Sequence, residues 1–175
     1  GDTRALFKAG RCGLLVEWGD PGPLQLDDDA TAIKGKLYAI SGLGSREVLD
    51  RATGKLVPVS KSNAPHSIDG INYAPFAAFG GWAGAVNKGA DQKTKDAAYA
   101  FLSYMNQSAQ SSVDVTIGAT GYNPYRLSQL SSPDLFVKAG MPQALAENYI
   151  GAINGALNSL NMASDMKIPG AQKYT

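Results

Sequence analysis

Apolar residues recur first in short runs closed by glycine and proline, and only later at helical spacing. The run Cys12 to Trp18 (Cys-Gly-Leu-Leu-Val-Glu-Trp) is bounded by Gly10 and by Gly19, Pro21, Gly22 and Pro23, which predicts a buried strand that enters a loop. Lys36 to Ile40, closed by Gly42 and Gly44, predicts another. Glu47–Asp50 and Lys55–Val59 flank Arg51, Ala52, Thr53 and Gly54, a connection of hairpin type, so residues 46–59 should project as an exposed flap. Residues 60–75 are polar and punctuated by Pro65, Gly70 and Pro75. Trp82 to Val86 then reads as a strand preceded by the pair Gly80 and Gly81.

After this point the period changes. Asp91 is placed as an N-cap, and Ala97, Ala98, Phe101, Leu102 and Met105 follow at helical spacing to about Asn106. A second helix is predicted from Ser108 to Ile117, then a rigid loop from Gly118 through Pro124 to Arg126. Ser132 and Pro133 cap a short helix that Gly140 stops. The strongest helix begins at Pro142: Leu145, Tyr149, Ile153 and Leu157 lie four apart, and its end is expected near Asn161. Thr3 to Lys8 reads as the tail of a helix, and Ile168 to Thr175 as an extended tail. The order predicts one compact unit over 1–175, strand-rich from about 12 to 90 and helical from about 91 to 175. The class is mixed α/β.

Composition narrows the function. The 175 residues carry 44% hydrophobic and 18% charged positions, which suits one folded domain, and no apolar run approaches the roughly 20 residues of a membrane span. The net charge of +1, with scattered Lys and Arg, offers no field for nucleic acid or an anionic membrane. Cys12 is the single cysteine, so no internal disulfide forms; within an apolar strand it should be a buried, inert thiol. The 20 glycines predict many loops and close backbone approaches.

Several chemistries lack their parts. Gly42 and Gly44 follow a predicted strand, but Glu47 stands where a dinucleotide fingerprint needs its third glycine. There is neither a phosphate-binding loop nor a hydrolase elbow, and His66 is the only histidine, so no cofactor or metal is expected. Asp27, Asp28 and Asp29 lack the alternation of a calcium loop and read as a solvated connection. One enzymatic arrangement survives: Glu17 and Asp20, close together where a strand meets a loop, are the pair of acids a glycosidase requires. Nearby acids of this kind are common in domains without activity.

What stands out is aromatic residues beside glycine turns: Trp18, Gly19 and Asp20; Gly80, Gly81 and Trp82; and Gly121 through Tyr122, Asn123, Pro124 and Tyr125 to Arg126. A sugar presents an apolar C–H face and a rim of hydroxyls, so its site combines flat rings with a few polar groups on stiff backbone. The alternative for each tryptophan is an ordinary place in the core.

Taken in order, Ala5 to Asp20, Gly35 to Gly42, Ala74 to Val86, the Lys93 to Tyr104 helix and Gly121 to Ser128 resemble the C-terminal half of an extracellular solute-binding protein of the sugar-type ABC transporters. The resemblance implies a type II periplasmic-binding-protein-like fold, a mixed sheet with flanking helices, incomplete relative to the full two-lobed protein. It implies a non-catalytic role: a sugar-like solute is held in an interlobe cleft, and lobe closure signals to a permease. The ligand residues it implies are Trp18, Asp20, Trp82, Tyr125 and Arg126. Phe76 to Trp82 and Gly121 to Ser128 also resemble solute-binding-like ectodomains of green-algal membrane receptor cyclases, which implies a sensing or protein-binding role instead. Either context is extracellular or periplasmic, where the sequon Asn106, Gln107 and Ser108 could be glycosylated. Strands left unpaired by an absent half would favour a homodimer formed by segment exchange.

Overall fold

The computed structural model describes residues 3–27, 32–77 and 83–163. It is a mixed α/β chain that divides into two compact units, Gly1–Ala39 with Trp82–Ile153, and Ile40–Gly81 with Asn154–Thr175.

The first unit is helical. It contains α1 (Thr3–Lys8), α2 (Gln92–Met105), α3 (Ser108–Asp114), α4 (Leu127–Leu130), α5 (Asp134–Lys138) and most of α6 (Gln143–Leu157), with 3₁₀ turns at Gly22–Leu26 and Gly118–Thr120. Asp91 caps α2 as its sequence predicts, its side chain accepting the Thr94 amide at 2.9 Å, while Gly140 at φ +105° closes the chain after α5. On α6 the residues Leu145, Ala146, Tyr149 and Ile150 are buried; of the stripe predicted at four-residue spacing Leu145 and Tyr149 are thus buried and Ile153 partly so, whereas Leu157 is exposed. The four buried residues pack with Val115, Phe136 and Met141, and the Phe136 and Tyr149 rings meet edge to face, 5.1 Å between centroids. A smaller cluster joins Leu24 and Ile33, flanked by Phe7 of α1 and Leu37.

Close packing explains one glycine. A methyl group on Gly22 would lie 2.3 Å from the Tyr149 ring, which is itself held by Phe136 and cannot withdraw. Gly22→Ala is therefore expected to destabilise the chain by about 1–3 kcal/mol, the usual cost of overfilling a packed site. Urea unfolding would check this, and a loss below about 0.5 kcal/mol would mean that the Tyr149 pocket is loose.

The second unit carries the strands, which among the described residues form three separate two-stranded sheets rather than one mixed sheet. β1 (Gly44–Ser45) pairs antiparallel with β4 (Asn72–Tyr73), β2 (Glu47–Asp50) antiparallel with β3 (Lys55–Pro58), and β5 (Phe76–Ala77) parallel with β6 (Met162–Ala163). The β2–β3 hairpin is the predicted flap. Its turn is closed by Gly54 at φ +68°, whose amide reaches Asp50 O at 2.8 Å, and by the Asp50 side chain accepting from Ala52 N and the Thr53 hydroxyl.

The other strand expectations are corrected. Among the described residues, 12–18, 36–40 and 83–86 belong to no ladder. Leu14 and Val16 are 70% and 80% exposed, and Cys12 is exposed rather than buried. The physical reason is that an apolar run makes a strand only where a neighbouring chain accepts its main-chain bonds. At Ala39 a side chain does this instead: Asn148 of α6 accepts from Ala39 N at 2.8 Å and donates to Ala39 O at 3.0 Å. Helix α2 also departs from expectation, since none of its residues is buried and Phe101 stands exposed. The tail expected from Ile168 lies outside the described residues.

Candidate functional site

Two of the aromatic and glycine segments converge within the first unit. The chain leaves Trp18 through Gly19 to Asp20 and turns into the 3₁₀ segment by a bond from Gly22 N to Gly19 O of 3.1 Å. The second segment is set by Thr120, whose hydroxyl donates to Asp114 O at 2.7 Å and Ile117 O at 2.8 Å, and by Gly121, whose φ of +69° only glycine adopts without strain. A methyl group on Gly19 would come within 2.8 Å of Asn123 Oδ1, so the two loops touch through the missing side chain. Between them lies an open depression of about 420 Å³ lined by Arg4, Trp18, Asp20, Thr120, Gly121 and Tyr122.

Its electrostatics are organised by α1. Arg4 faces the loop with a fork of donors: Nη1 lies 2.5 Å from Asp20 Oδ2, Nη2 3.2 Å from Oδ1, and Nε 3.4 Å from Glu17 Oε2. Asp20 is only 2% exposed. Burial raises its carboxyl pKa, and the Arg4 charge offsets this only in part. Glu17 is shifted the other way, chiefly because its Oε1 accepts the Trp18 amide at 3.1 Å and next because Arg4 donates to it. Burial disfavours the Arg4 cation, but the Glu17 hydrogen bond and the Asp20 charge outweigh it and leave its pKa raised. Tyr149 has a buried hydroxyl with no hydrogen-bond partner among the described residues, and its pKa is pushed up by burial and then by the negative Asp20.

Of the residues singled out on sequence grounds, Trp18 and Asp20 therefore share one depression. Trp18 is 55% exposed and is no part of the core. Tyr125 and Arg126 do not line that depression. Arg126 is tied down instead: Nε donates to Ser111 Oγ at 3.0 Å, Nη2 to Asn106 O, and its guanidinium sits 5.5 Å from the Tyr125 ring centroid. Buried Gln129 completes the knot, its Oε1 accepting from Tyr125 N at 3.0 Å and its Nε2 donating to Ser111 Oγ at 3.3 Å. Trp82 lies outside the described residues. Asn106 is exposed at the end of α2, and its side-chain nitrogen donates to Leu102 O at 2.9 Å.

Sequence reading did not select Arg4, Thr120 or Tyr122 as site residues. Tyr122 had a signal, since it follows a glycine within the loop motif; Arg4 had none, because its contacts with Glu17 and Asp20 span 13 and 16 residues. A larger depression of about 520 Å³, lined by Leu26, Asp27, Thr116, Ile117 and Ala139, has no aromatic ring, and its one acid is paired with Lys8 at 3.3 Å. Among the described residues no group of three or more His, Cys, Asp or Glu could hold a metal ion, and no helix is long and apolar enough to cross a membrane. Compared with protein-family models, with curated proteins and with solved structures, the chain matches none.

Proposed function

We propose that the chain is a non-catalytic solute-binding module for a sugar-like ligand, of the type II periplasmic-binding-protein-like kind, acting outside the cytoplasm. One observation carries the reading: Trp18 and Tyr122, from loops a hundred residues apart, line one depression together with buried Asp20 and its part-exposed partner Arg4. Rings supply the apolar surface, and the part-exposed Arg4 guanidinium, held in place by Asp20, supplies the fixed polar group, the two components a sugar face and its hydroxyl rim require. In this reading ligand favours a closed state of the binding protein, and a permease recognises that state.

The glycosidase alternative is weaker. The pKa values of Glu17 and Asp20 are driven apart, as acid and nucleophile roles need. Yet Asp20, the one that would donate the proton, spends both oxygens on Arg4 and has almost no surface for a glycosidic oxygen. The receptor or protein-interaction reading has its own support in the exposed Tyr99, Phe101 and Tyr104 of α2.

Tryptophan fluorescence titrated with mono- and oligosaccharides tests the proposal. The expected result is a saturable shift with a saccharide, weakened in Trp18→Ala by about 2 kcal/mol, or roughly thirtyfold in Kd. Because Trp18 is exposed, the variant should keep the parent's thermal transition. No response to any saccharide, or a Trp18→Ala chain that binds as tightly as the parent, would refute the reading.

A further inference from the structure

The geometry points to a positioning residue inside this site: we infer that Thr120 holds the Tyr122 ring where the solute meets it, acting through its hydroxyl and not by touching the solute. This rests on the saccharide reading above and names the residue that fixes one of the two rings of the same depression.

The hydroxyl is used in both directions. Its proton is shared by two main-chain carbonyls, Asp114 O at 2.7 Å and Ile117 O at 2.8 Å, and its oxygen accepts the Tyr122 amide at 3.3 Å. A threonine hydroxyl has one proton to give and two lone pairs, so its donor is already committed. Asp114 is the last residue of α3, where a carbonyl has no partner within the helix. The residue is buried and its side chain is fixed as well, Oδ1 accepting from Gln110 Nε2 at 2.8 Å. Tyr122 is thereby tied to a helix end and not to another loop.

The rest of the segment leaves Tyr122 dependent on this tie. Gly121 turns the chain just before it at φ +69°. Beyond it Pro124 is buried, and Tyr125 N and Arg126 N both donate to Gln129 Oε1, at 3.0 Å and 3.2 Å. Between these fixed points, the bond from its amide to Thr120 is the one that holds Tyr122 among the described residues. Tyr122 is 36% exposed and belongs to neither apolar cluster, so packing alone does not fix its ring. A ring held beforehand in its bound position costs less to order when the ligand arrives, and affinity rises accordingly.

Two measurements on the intact chain test this: amide hydrogen exchange resolved at Tyr122, and saccharide titration followed by tryptophan fluorescence. Thr120→Val replaces the hydroxyl by a methyl group of similar size, whereas Thr120→Ser keeps it. The Tyr122 amide is expected to exchange about fivefold faster in Thr120→Val than in the parent or in Thr120→Ser, the size of one ordinary hydrogen bond. For one saccharide, Thr120→Val should weaken Kd about fivefold, and Thr120→Ser should restore the parent value. In a Tyr122→Ala chain, Thr120→Val should make no further difference, because Thr120 acts through the ring. Continued loss of affinity in that background would mean that Thr120 meets the solute directly, and overturns the inference. Equal affinity of the parent and Thr120→Val overturns it too, as does a Tyr122 amide exchanging at the unprotected rate in the parent, a result that requires no variant to fold. Each of these leaves the saccharide reading in place. Silence of the parent across the whole saccharide panel overturns both.

Discussion

Phe136→Ala is expected to lower the unfolding free energy by about 3–5 kcal/mol, the range for removing a buried aromatic ring from a packed core. Phe136 is 0% exposed and is the pivot of the cluster formed by Val115, Met141, Leu145, Ala146, Tyr149 and Ile150. Its ring meets Tyr149 at 82°, so the substitution removes both a large apolar surface and an edge-to-face contact. The neighbours come from α5, α6 and the segment after α3, which limits how far any one of them can relax into the space. Urea unfolding should show the midpoint falling, with Leu127→Ala, at a strongly exposed position, as the control that stays within about 0.5 kcal/mol. A loss below about 1 kcal/mol would show that this cluster is not the stabilising core, since removal of a packed buried ring costs several times as much.

Arg4→Ala should cost about 3 kcal/mol near neutral pH, the lower end of the range for breaking a buried pair, because Arg4 is itself part exposed. What remains is Asp20 in a buried place with no counter-charge among the described residues. The pH dependence gives the effect a signature. Burial already sets the folded-state pKa of Asp20 above its ordinary value, and losing Arg4 raises it further. A carboxyl with a raised folded pKa binds its proton more readily in the native state. The variant is therefore most stable below the ordinary carboxylate range, weakens as pH rises through the folded value, and then levels off. The deficit relative to the parent should be small in acid and full at neutral pH. Combining Arg4→Ala with Asp20→Asn should recover most of the loss, since the stranded charge is gone. A deficit independent of pH, unrelieved by the second substitution, would assign the effect to the packing of α1.

How much of this was legible beforehand differs by element. The helices were readable because their determinants are local: the Asp91 cap, the Leu145 and Tyr149 pair on α6, and the Gly140 stop all act within a few residues. The β2–β3 hairpin was readable for the same reason, its turn being built by Asp50, Thr53 and Gly54. Cys12 to Trp18 and Lys36 to Ile40 misled because strand formation depends on a partner distant in sequence, and the apolar run itself is silent about that partner. The site was half legible. Aromatic residues beside glycines marked Trp18 and the Gly121 loop, but Arg126 stands apart from that depression: its guanidinium closes a knot with Ser111 and Gln129 that no spacing rule reveals. The helix α1 arginine that neutralises Asp20 could be found only in three dimensions.

Leu14 and Val16 are exposed and belong to no ladder among the described residues, which makes self-association a quantity to measure as concentration is varied. Main-chain groups next to exposed apolar side chains are a template on which another molecule can add a strand, and the fraction so engaged grows with concentration by mass action. Dilute and concentrated solutions of this protein need not contain the same species, so a midpoint or an affinity acquires its meaning together with the concentration at which it was recorded.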